Sequence, residues 1–261
     1  ASHGGGVIDL DRGYGGLDAK WFHRTPGGVQ LALGIAHERM QEDRRGWENF
    51  VRDGADLRLG VRGRLRRDED NRLASSDVYG QLHWPLAHTL SVDAGLRHSR
   101  IDIAVRDRFL SNGDDGGKRS YSRTVPVAAL HWHPSDTHGM HLAWGRGFET
   151  PTLNELAYSP SEDGPNRELR AATSSQWELG AHLTSGASRL TAALFDIRTR
   201  DEIVVDRSSG GRTSYRNAAR TLRRGLELGW RWQSARWQVN AAWTWLDARL
   251  QEAALADVRL P

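Results

Sequence analysis

Apolar and polar residues alternate along most of this chain, which predicts β-strands with one apolar and one polar face. In Gln176–Thr184, for example, every second residue is apolar and those between them are polar or small. The same period of two predicts about ten strands: Tyr14–His23, Val29–Met40, Asp77–Trp84, Leu90–Val105, Tyr121–His133, Met140–Phe148, Gln176–Thr184, Arg189–Asp206, Tyr215–Gln233 and Trp237–Leu250. The chain is therefore predicted to be all-β.

The connections between these strands alternate between short and long. The short ones are rich in turn residues, and they are Arg24–Gly28, Pro85–Thr89, Pro134–Gly139, Ser185–Ala187 and Ser234–Arg236. The longer ones include Leu110–Arg119, Gly145–Arg170 and Ser208–Thr213. Bacterial outer-membrane barrels have short periplasmic turns and longer extracellular loops. The rhythm therefore favours an antiparallel transmembrane β-barrel whose short turns are periplasmic.

Two parts of the chain depart from this simple pattern. The polar stretch Gln41–Ser76 contains the charged run Arg66–Asn71 (RRDEDN), and we interpret it as a protruding hairpin arm or an extended loop. Within the strand Arg189–Asp206, the two faces are hard to assign around Leu194 and Phe195. The sequence allows a β-bulge there.

The tryptophans support the membrane interpretation. Several lie close to the short turns, namely Trp84, Trp132, Trp232 and Trp237. From Trp237 to Trp245 the chain advances eight residues, which is ~27 Å along a strand. With the usual tilt this becomes roughly 20 Å of height, close to the separation of the two aromatic girdles of a membrane barrel. The alternative is a soluble barrel with a tryptophan core, which rarely repeats Trp at the same end of successive strands.

Composition narrows the class of protein further. Mean hydropathy is −0.63, and no apolar run is long enough for a transmembrane helix, although a membrane barrel has this composition as well. The absence of Cys is compatible with an exported protein. Its 36 basic and 33 acidic residues are interspersed, which argues against a nucleic-acid partner. The chain begins at Ala1 with no visible leader, so we expect a processed chain or a fragment.

No catalytic set stands out in the sequence. Ser, His and Asp occur in no motif order, and neither G-x-S-x-G nor a phosphate loop is present. A small outer-membrane barrel with protease or lipase activity remains an alternative class of function.

Two polar clusters have alternative interpretations. The first is a group of histidines around one predicted periplasmic turn, His131, His133, His138 and His141. They are either ligands of a metal or polar lumen and turn residues, and we favour the second. The second cluster is Arg220, Arg223 and Arg224. These arginines are solvated lumen charges or part of a basic funnel for an anionic ligand.

One segment carries a family resemblance. Gly145–Tyr158 (GRGFETPTLNELAY) closes a predicted strand and enters a turn-rich loop. Its sequence resembles a signature motif of TonB-dependent outer-membrane receptors. Asn217–Leu228 (NAARTLRRGLEL) resembles a later strand of the same barrels, with the strand motif Trp177–Gly180 (WELG) between the two. Both the motifs and their spacing are similar to that family.

The resemblance implies a fold and a function. Receptors of this kind are 22-stranded antiparallel barrels of the outer membrane filled by an N-terminal plug. Members take up scarce cargo, most often ferric siderophores, with energy passed from an inner-membrane complex through TonB, and they are neither enzymes nor cofactor proteins. Residues 1–261 would then be a partial barrel, with the plug and its TonB contact absent from this chain and no terminal aromatic residue at Val258–Pro261. Gly145–Tyr158 and Arg200–Val205 favour a siderophore, while cobalamin, copper and glycan cargo stay open.

The same resemblance points to ligand-binding residues in the loop that would meet cargo first. These are Arg146, Glu149, Asn154, Glu155 and Tyr158. Arg146 and Tyr158 are preferred, because Arg and Tyr are frequent anchors for anionic or aromatic ligands. The alternative is that all five only order the loop. No catalytic residue and no metal ligand is predicted, and the expected partners are cargo, the TonB complex and outer-membrane lipid.

Overall fold

The computed structural model describes residues 6–160, 164–209, 212–252 and 255–259, most of which lie in strands. The elements are β1 (Gly6–Arg24), β2 (Gln30–Glu48), β3 (Phe50–Asp53), β4 (Asp56–Leu59), β5 (Leu65–Ala87), β6 (Leu90–Asp107), β7 (Gly117–Ser135), β8 (His138–Glu149), α1 (Leu153–Leu156), β9 (Ala172–Ser185), β10 (Ser188–Ser209), β11 (Arg212–Gln233), β12 (Gln238–Glu252) and β13 (Leu255–Arg259).

Eleven of these strands form one antiparallel sheet in the order in which the chain visits them. The order is β1-β2-β5-β6-β7-β8-β9-β10-β11-β12-β13, and β3 pairs with β4 in a separate hairpin. Each strand therefore pairs with its neighbours along the chain, as in an up-and-down barrel wall. The predicted antiparallel β architecture and its ten strands are confirmed, and β13 is added to them.

The predicted arm at Gln41–Ser76 was too long. β2 continues to Glu48 and β5 already starts at Leu65, so the two pair as far as Trp47 opposite Leu65. Beyond that pairing, β3 and β4 form a separate hairpin. The prediction failed because both faces of this part of the sheet are polar, so the apolar period ends while the backbone ladder continues.

The same effect shortened another predicted strand. The predicted loop Ser208–Thr213 is mostly ladder, because Ser208 pairs with Thr213; residues 210 and 211 lie outside the described part of the chain. The sequence allowed a bulge at Leu194 and Phe195, but both residues keep register with β9 and β11. The register of β10 with β11 shifts instead just before Arg207.

One face of the sheet is apolar across its whole width. A single row of cross-strand partners illustrates this face: Trp132, Met140, Ala181, Ala192, Leu228 and Trp243. The large members of such rows are exposed, and Leu228, for example, has 43% of its surface accessible. The neighbouring Glu227 lies on the opposite, concave face, where it lines a cavity of about 660 Å³. We call these two faces the outer wall and the inner wall.

Tryptophans border the apolar band of the outer wall on both sides. Near the short turns, Trp84, Trp132 and Trp237 are exposed. At the opposite border, the rings of Trp144 and Trp177 lie 6.2 Å apart. This is the expected arrangement of two aromatic girdles around a hydrocarbon-facing band. Within the described residues, no helix is long and apolar enough to cross a membrane.

A small core forms where the described residues of the segment 150–171, namely 150–160 and 164–171, fold back against the inner wall. Its buried members are Ile103 (3% exposed) from β6, and Leu156 (8%) and Leu169 (4%) from the segment. Tyr121 adds a hydrogen bond from its hydroxyl to the carbonyl of Leu169, at 3.0 Å. The segment is therefore held against the wall at the end remote from the short turns.

Candidate ligand-binding site

The sequence TPTLNEL folds into the single helical turn α1. Thr152 is its N-cap, and its hydroxyl oxygen accepts a hydrogen bond from the Glu155 backbone N–H at 3.3 Å. The Glu155 carboxylate accepts one from the Thr152 N–H at 2.7 Å, which completes a capping box. The turn is oriented so that Leu156 enters the core. This local structure positions the residues on either side of the helix.

A cavity of about 320 Å³ lies between this segment and the inner wall. Apolar side chains such as Ile103 and Leu156 contribute to its lining. Four arginines and two carboxylates also line it, namely Arg44, Arg67, Arg119, Arg167, Glu69 and Asp115. Because the arginines outnumber the acids, the cavity favours an anionic ligand.

Two polar atoms at this cavity lack a partner in the protein. Asn71 is 2% exposed; its amide nitrogen donates to the Glu42 carboxylate at 3.1 Å, but its side-chain oxygen accepts nothing. One terminal nitrogen of Arg67 is likewise buried without an acceptor, although the same guanidinium contacts Glu69 at 3.0 Å. An unsatisfied buried group costs about 1–3 kcal/mol. A ligand or water with both donor and acceptor atoms would remove that cost.

One of the two carboxyl groups that line the cavity, that of Glu69, is affected by burial. Glu69 lies beyond the apolar band, outside the membrane-spanning part of β5. Burial raises the pKa of its carboxyl, and the positive charges of Arg67 and Arg44 act in the opposite direction without cancelling this effect. Burial therefore disfavours the charged form of Glu69 relative to that of an exposed Glu.

Two of the five predicted ligand residues contact arginines that line this cavity, although neither of the two lines it. The side-chain oxygen of Asn154 accepts a hydrogen bond from Arg44 at 3.2 Å. The Tyr158 ring lies between two guanidinium groups, with Arg67 at 4.8 Å and Arg212 at 5.3 Å from its centroid. Such cation–π contacts hold the arginines in place.

The other three predicted residues lie elsewhere. Arg146 shares the outer wall with Trp144, and its guanidinium carbon is 5.9 Å from that ring. Glu149 is the exposed last residue of β8, opposite Ala172. The Glu155 carboxylate is used by the capping box. These positions indicate structural or surface contacts rather than contact with the cavity.

The arginines of the cavity were missed by the sequence interpretation. Arg44 and Arg67 lie in the stretch assigned to a protruding arm, and Arg167 lies in a loop without periodicity. A usable signal was present, since extending the ladder of β2 beyond Met40 would have placed Arg44 on the same face as Glu42. What the sequence does not contain is the contact of Arg44 with Asn154 and of Arg67 with Tyr158.

A histidine cluster lies on the inner wall near the short turns. The centroids of His131 and His133 are 6.1 Å apart, and those of His131 and His141 are 5.9 Å apart. His182, which the sequence interpretation missed, is 6.1 Å from His133. A Cβ at Gly139 would collide with the His133 and His182 rings. The glycine thus makes room for these imidazoles to lie against the sheet.

Contacts to neighbouring polar groups engage several of these histidines. His131 contacts Asp93 and His141 contacts Glu178, each at 2.8 Å, while His138 hydrogen-bonds Ser135 in the turn at 2.9 Å. In the part of the chain that the structure describes, no group of three or more His, Cys, Asp or Glu is arranged to hold a metal ion. The contacts of His131 and His141 are to carboxylates of the inner wall, and the contact of His138 is within the turn.

The apolar outer wall, the polar inner wall and the short turns at one end define the wall of an outer-membrane β-barrel. A family model described as "TonB dependent receptor-like, beta-barrel" matches residues 3–261. The chain therefore belongs to the β-barrel family of the TonB-dependent receptors, which are transporters of the bacterial outer membrane. Because the members of this family are not enzymes, the alternative of a barrel enzyme is discarded.

Solved structures agree with this fold. The copper transporter OprC matches with a TM-score of 0.75 and 16% identity, over 94% of this chain and 38% of its own. The siderophore receptor PiuA from Acinetobacter baumannii matches with 0.71 and 16%, over 94% and 39%. The ferric yersiniabactin uptake receptor FyuA from Yersinia pestis matches with 0.63 and 16%, over 93% and 37%. The chain thus spans well under half the length of these receptors.

Proposed function

We propose that residues 1–261 form part of the barrel wall of a TonB-dependent transporter that takes up ferric siderophores. The observation that carries this proposal is the arginine-rich cavity beneath the segment 150–171, at the end of the barrel remote from the short turns. Many ferric chelates with catecholate or carboxylate ligands are anionic. Guanidinium groups bind such oxygens through charge-assisted hydrogen bonds. In this proposal a plug and the TonB complex supply gating and energy, as the family resemblance implies.

Within this proposal the cavity provides the first contacts for cargo. Arg44 and Arg67 are held beside it by Asn154 and Tyr158, which reduces the entropy lost when they bind a ligand. The unpaired terminal nitrogen of Arg67 supplies a donor that no group of the protein uses. The cavity volume of about 320 Å³ accommodates part of a chelate rather than a whole one. The remaining contacts would come from the rest of the receptor.

The test is uptake by cells that produce the full-length gene product. Deletion of the gene is expected to impair growth on at least one ferric siderophore under iron limitation, and a double variant, Arg44→Gln with Arg67→Gln, to bind that siderophore at least tenfold more weakly. The matched control is Arg52→Gln with Arg58→Gln on the β3–β4 hairpin, which removes the same charge away from the cavity. A receptor that responds to no ferric siderophore would contradict the proposal.

A second candidate cargo is a transition-metal ion such as copper. Its support is the row of inner-wall imidazoles, which are suitable ligands for Cu and Zn, and the fold shared with the copper transporter OprC. Binding would require these side chains to rotate. Uptake of copper that is lost in His133→Ala with His182→Ala, together with an unchanged iron phenotype, would favour this candidate over the first.

A further inference from the structure

The ladder between β10 and β11 is interrupted at Asp201. Pairing passes from Arg200 opposite Arg220 directly to Glu202 opposite Ala218, and the register is the same on both sides of the interruption. Among the described residues, Asp201 is the only one other than glycine with a positive φ, at 55°. A left-handed backbone at such a residue persists where the surrounding structure fixes it. The interruption therefore points to contacts that hold this part of the wall.

The side chain of Asn217 takes the place of a cross-strand partner at Asp201. Its amide nitrogen donates to the carbonyl of Asp201 at 2.7 Å and to the carbonyl of Arg170 at 2.8 Å. Its side-chain oxygen accepts from the Arg170 backbone N–H, also at 2.8 Å. Both kinds of amide atom are thus engaged. Because a carboxylate has no hydrogen to donate, this position requires an amide rather than an acid.

These three hydrogen bonds attach the segment 150–171 to the wall. Arg170 belongs to the segment, whereas Asp201 lies in β10 and Asn217 in β11. The Arg170 guanidinium adds an ion pair with the Asp201 carboxylate at 2.6 Å. The residue before Arg170, Leu169, is 4% exposed in the core. The chain is therefore fixed as soon as it leaves the core, and we call Arg170, Asp201 and Asn217 the amide clamp.

The amide clamp lies three residues from an arginine of the cavity. Arg167 lines the cavity, and its neighbour Asn166 is 5% exposed. Asn166 donates from its side chain to the carbonyl of Tyr215 in β11 at 2.6 Å. Residues 166–170 are therefore attached to β11 at both ends, by Asn166 and by Asn217, with Arg167 between them. Loss of the second attachment frees Arg167 to move relative to the arginines of β2 and β5.

We propose that Asn217 is a positioning residue for cargo, which sets the place of Arg167 without touching the ligand. The inference rests on the proposed function, because it takes the cavity as the site of cargo binding. A cation that is held before binding loses less entropy when it meets an anionic chelate. Asn217 does not itself line the cavity, so its effect on affinity passes through the backbone of residues 166–170. That effect therefore depends on the presence of Arg167.

The experiment is a double-mutant cycle of Asn217→Ala and Arg167→Gln in the full-length gene product, purified in detergent. The probe is the ferric siderophore on which the deletion strain fails to grow, and the readout is its dissociation constant. We expect each single variant to bind about fivefold more weakly, and the double variant to bind like Arg167→Gln alone. Two independent effects would instead multiply to about 25-fold.

Three further variants separate positioning from general stability. Asn240→Ala removes an amide of β12 that accepts from Arg231 at 3.2 Å, and it is expected to bind like the unchanged protein. Arg170→Ala loses the ion pair but keeps the backbone groups that Asn217 binds, so it is expected to bind nearly normally. Asn217→Asp keeps an acceptor and lacks both donors, and it serves in the same cycle if Asn217→Ala does not assemble.

Amide hydrogen exchange adds a readout that needs no cargo. In Asn217→Ala, residues 164–171 should exchange faster than in the unchanged protein and in Asn240→Ala. Unchanged exchange there would overturn the proposal whatever the cargo is. So would multiplying effects in the cycle, or normal binding by Asn217→Ala together with weaker binding by Arg167→Gln. Normal binding by Arg167→Gln would instead contradict the cargo site of the proposed function, so the two failures are distinguishable.

Discussion

The two halves of the long strand β5 differ in the polarity of their outward-facing side chains. In β5, the half near the short turn places Val78, Leu82 and Trp84 on the outer wall. The other half, which includes Arg72 and Asp70, continues the same ladder with charged residues facing outward. The backbone hydrogen bonds do not change along the strand, and only the solvent does. The backbone hydrogen bonds between strands therefore determine the shape of the wall. The polarity of its outward-facing side chains indicates which part lies in the membrane.

The inner wall shows the same division. Near the short turns it carries polar groups that face the lumen, such as Glu227 and His133. Beyond the apolar band it carries a buried cluster formed by Ile103, Leu156 and Leu169. Burial of apolar side chains thus stabilises the two halves differently. We call the half near the short turns the lower half and the half beyond the apolar band the upper half. The stability of the lower half comes from lipid outside the wall, and that of the upper half from a loop packed inside it.

The largest expected effect is a charge placed in the lower half of the outer wall. Leu228→Arg puts a cation in the apolar band, at a cost of about 2–4 kcal/mol near the bilayer midplane. Assembly of the full-length barrel, measured by heat-modifiable gel mobility, should fall. Glu227→Arg is the matched control on the inner wall and should assemble almost normally. If both variants assembled equally well, the outer wall would be facing water, and the comparison would fail.

The next effect concerns the upper half. Leu156→Ala removes a buried side chain from the core between the segment 150–171 and β6, at a cost of about 2–5 kcal/mol. Because this core lies outside the membrane, the barrel should still assemble, but the segment should be cut faster by protease added to intact cells. Leu153→Ala, at the edge of the same cluster, should have a smaller effect. Cleavage at Pro134–Gly139 instead would mean that the short turns face outward.

A smaller effect is expected at the cap of α1. Thr152→Ala removes the hydroxyl that accepts from the Glu155 N–H, which typically costs about 1 kcal/mol. The helical turn and Leu156 should then protect the segment less from amide hydrogen exchange. Thr152→Ser retains the oxygen and should exchange like the unchanged protein. Protection lost equally in both variants would show that the cap does not control the segment.

The smallest effect is a pH dependence in the upper part of the β10–β11 pair. Arg223 donates to Glu202 at 2.8 Å, and this hydrogen bond holds the pKa of the Glu202 carboxyl below its ordinary value of 4.5. Stabilisation by a lowered carboxyl pKa is present above the unfolded value and is lost as the pH falls through the folded one. Hydrogen-exchange protection of this pair should therefore decrease below about pH 4.5. In Glu202→Gln the same decrease should be absent, and its persistence would assign the effect to another group.

The lower half of the wall was predictable from the sequence because contact with lipid requires an apolar residue at every second position of a strand. A side chain in the apolar band must be apolar, so residues such as Leu179 and Leu228 reveal the period of two and the positions of the short turns. Even the position of Arg146 on the outer wall follows from its alternation with Leu142 and Trp144. The motif in Gly145–Tyr158 pointed in turn to the segment that covers the cavity.

The upper half and the cavity were decided by tertiary structure. Beyond the membrane both faces of a strand meet polar surroundings, so the strand ends of β2 and β5 left no hydrophobic signal, and the sequence assigned them to an arm. Their pairing depends on backbone groups that every residue possesses. Arg44 reaches Asn154, and Arg67 reaches Tyr158, only because the segment 150–171 folds back across β2 and β5. No local pattern contains these contacts, since they join side chains of β2 and β5 to a segment far along the chain, whose Leu156 is buried in the core.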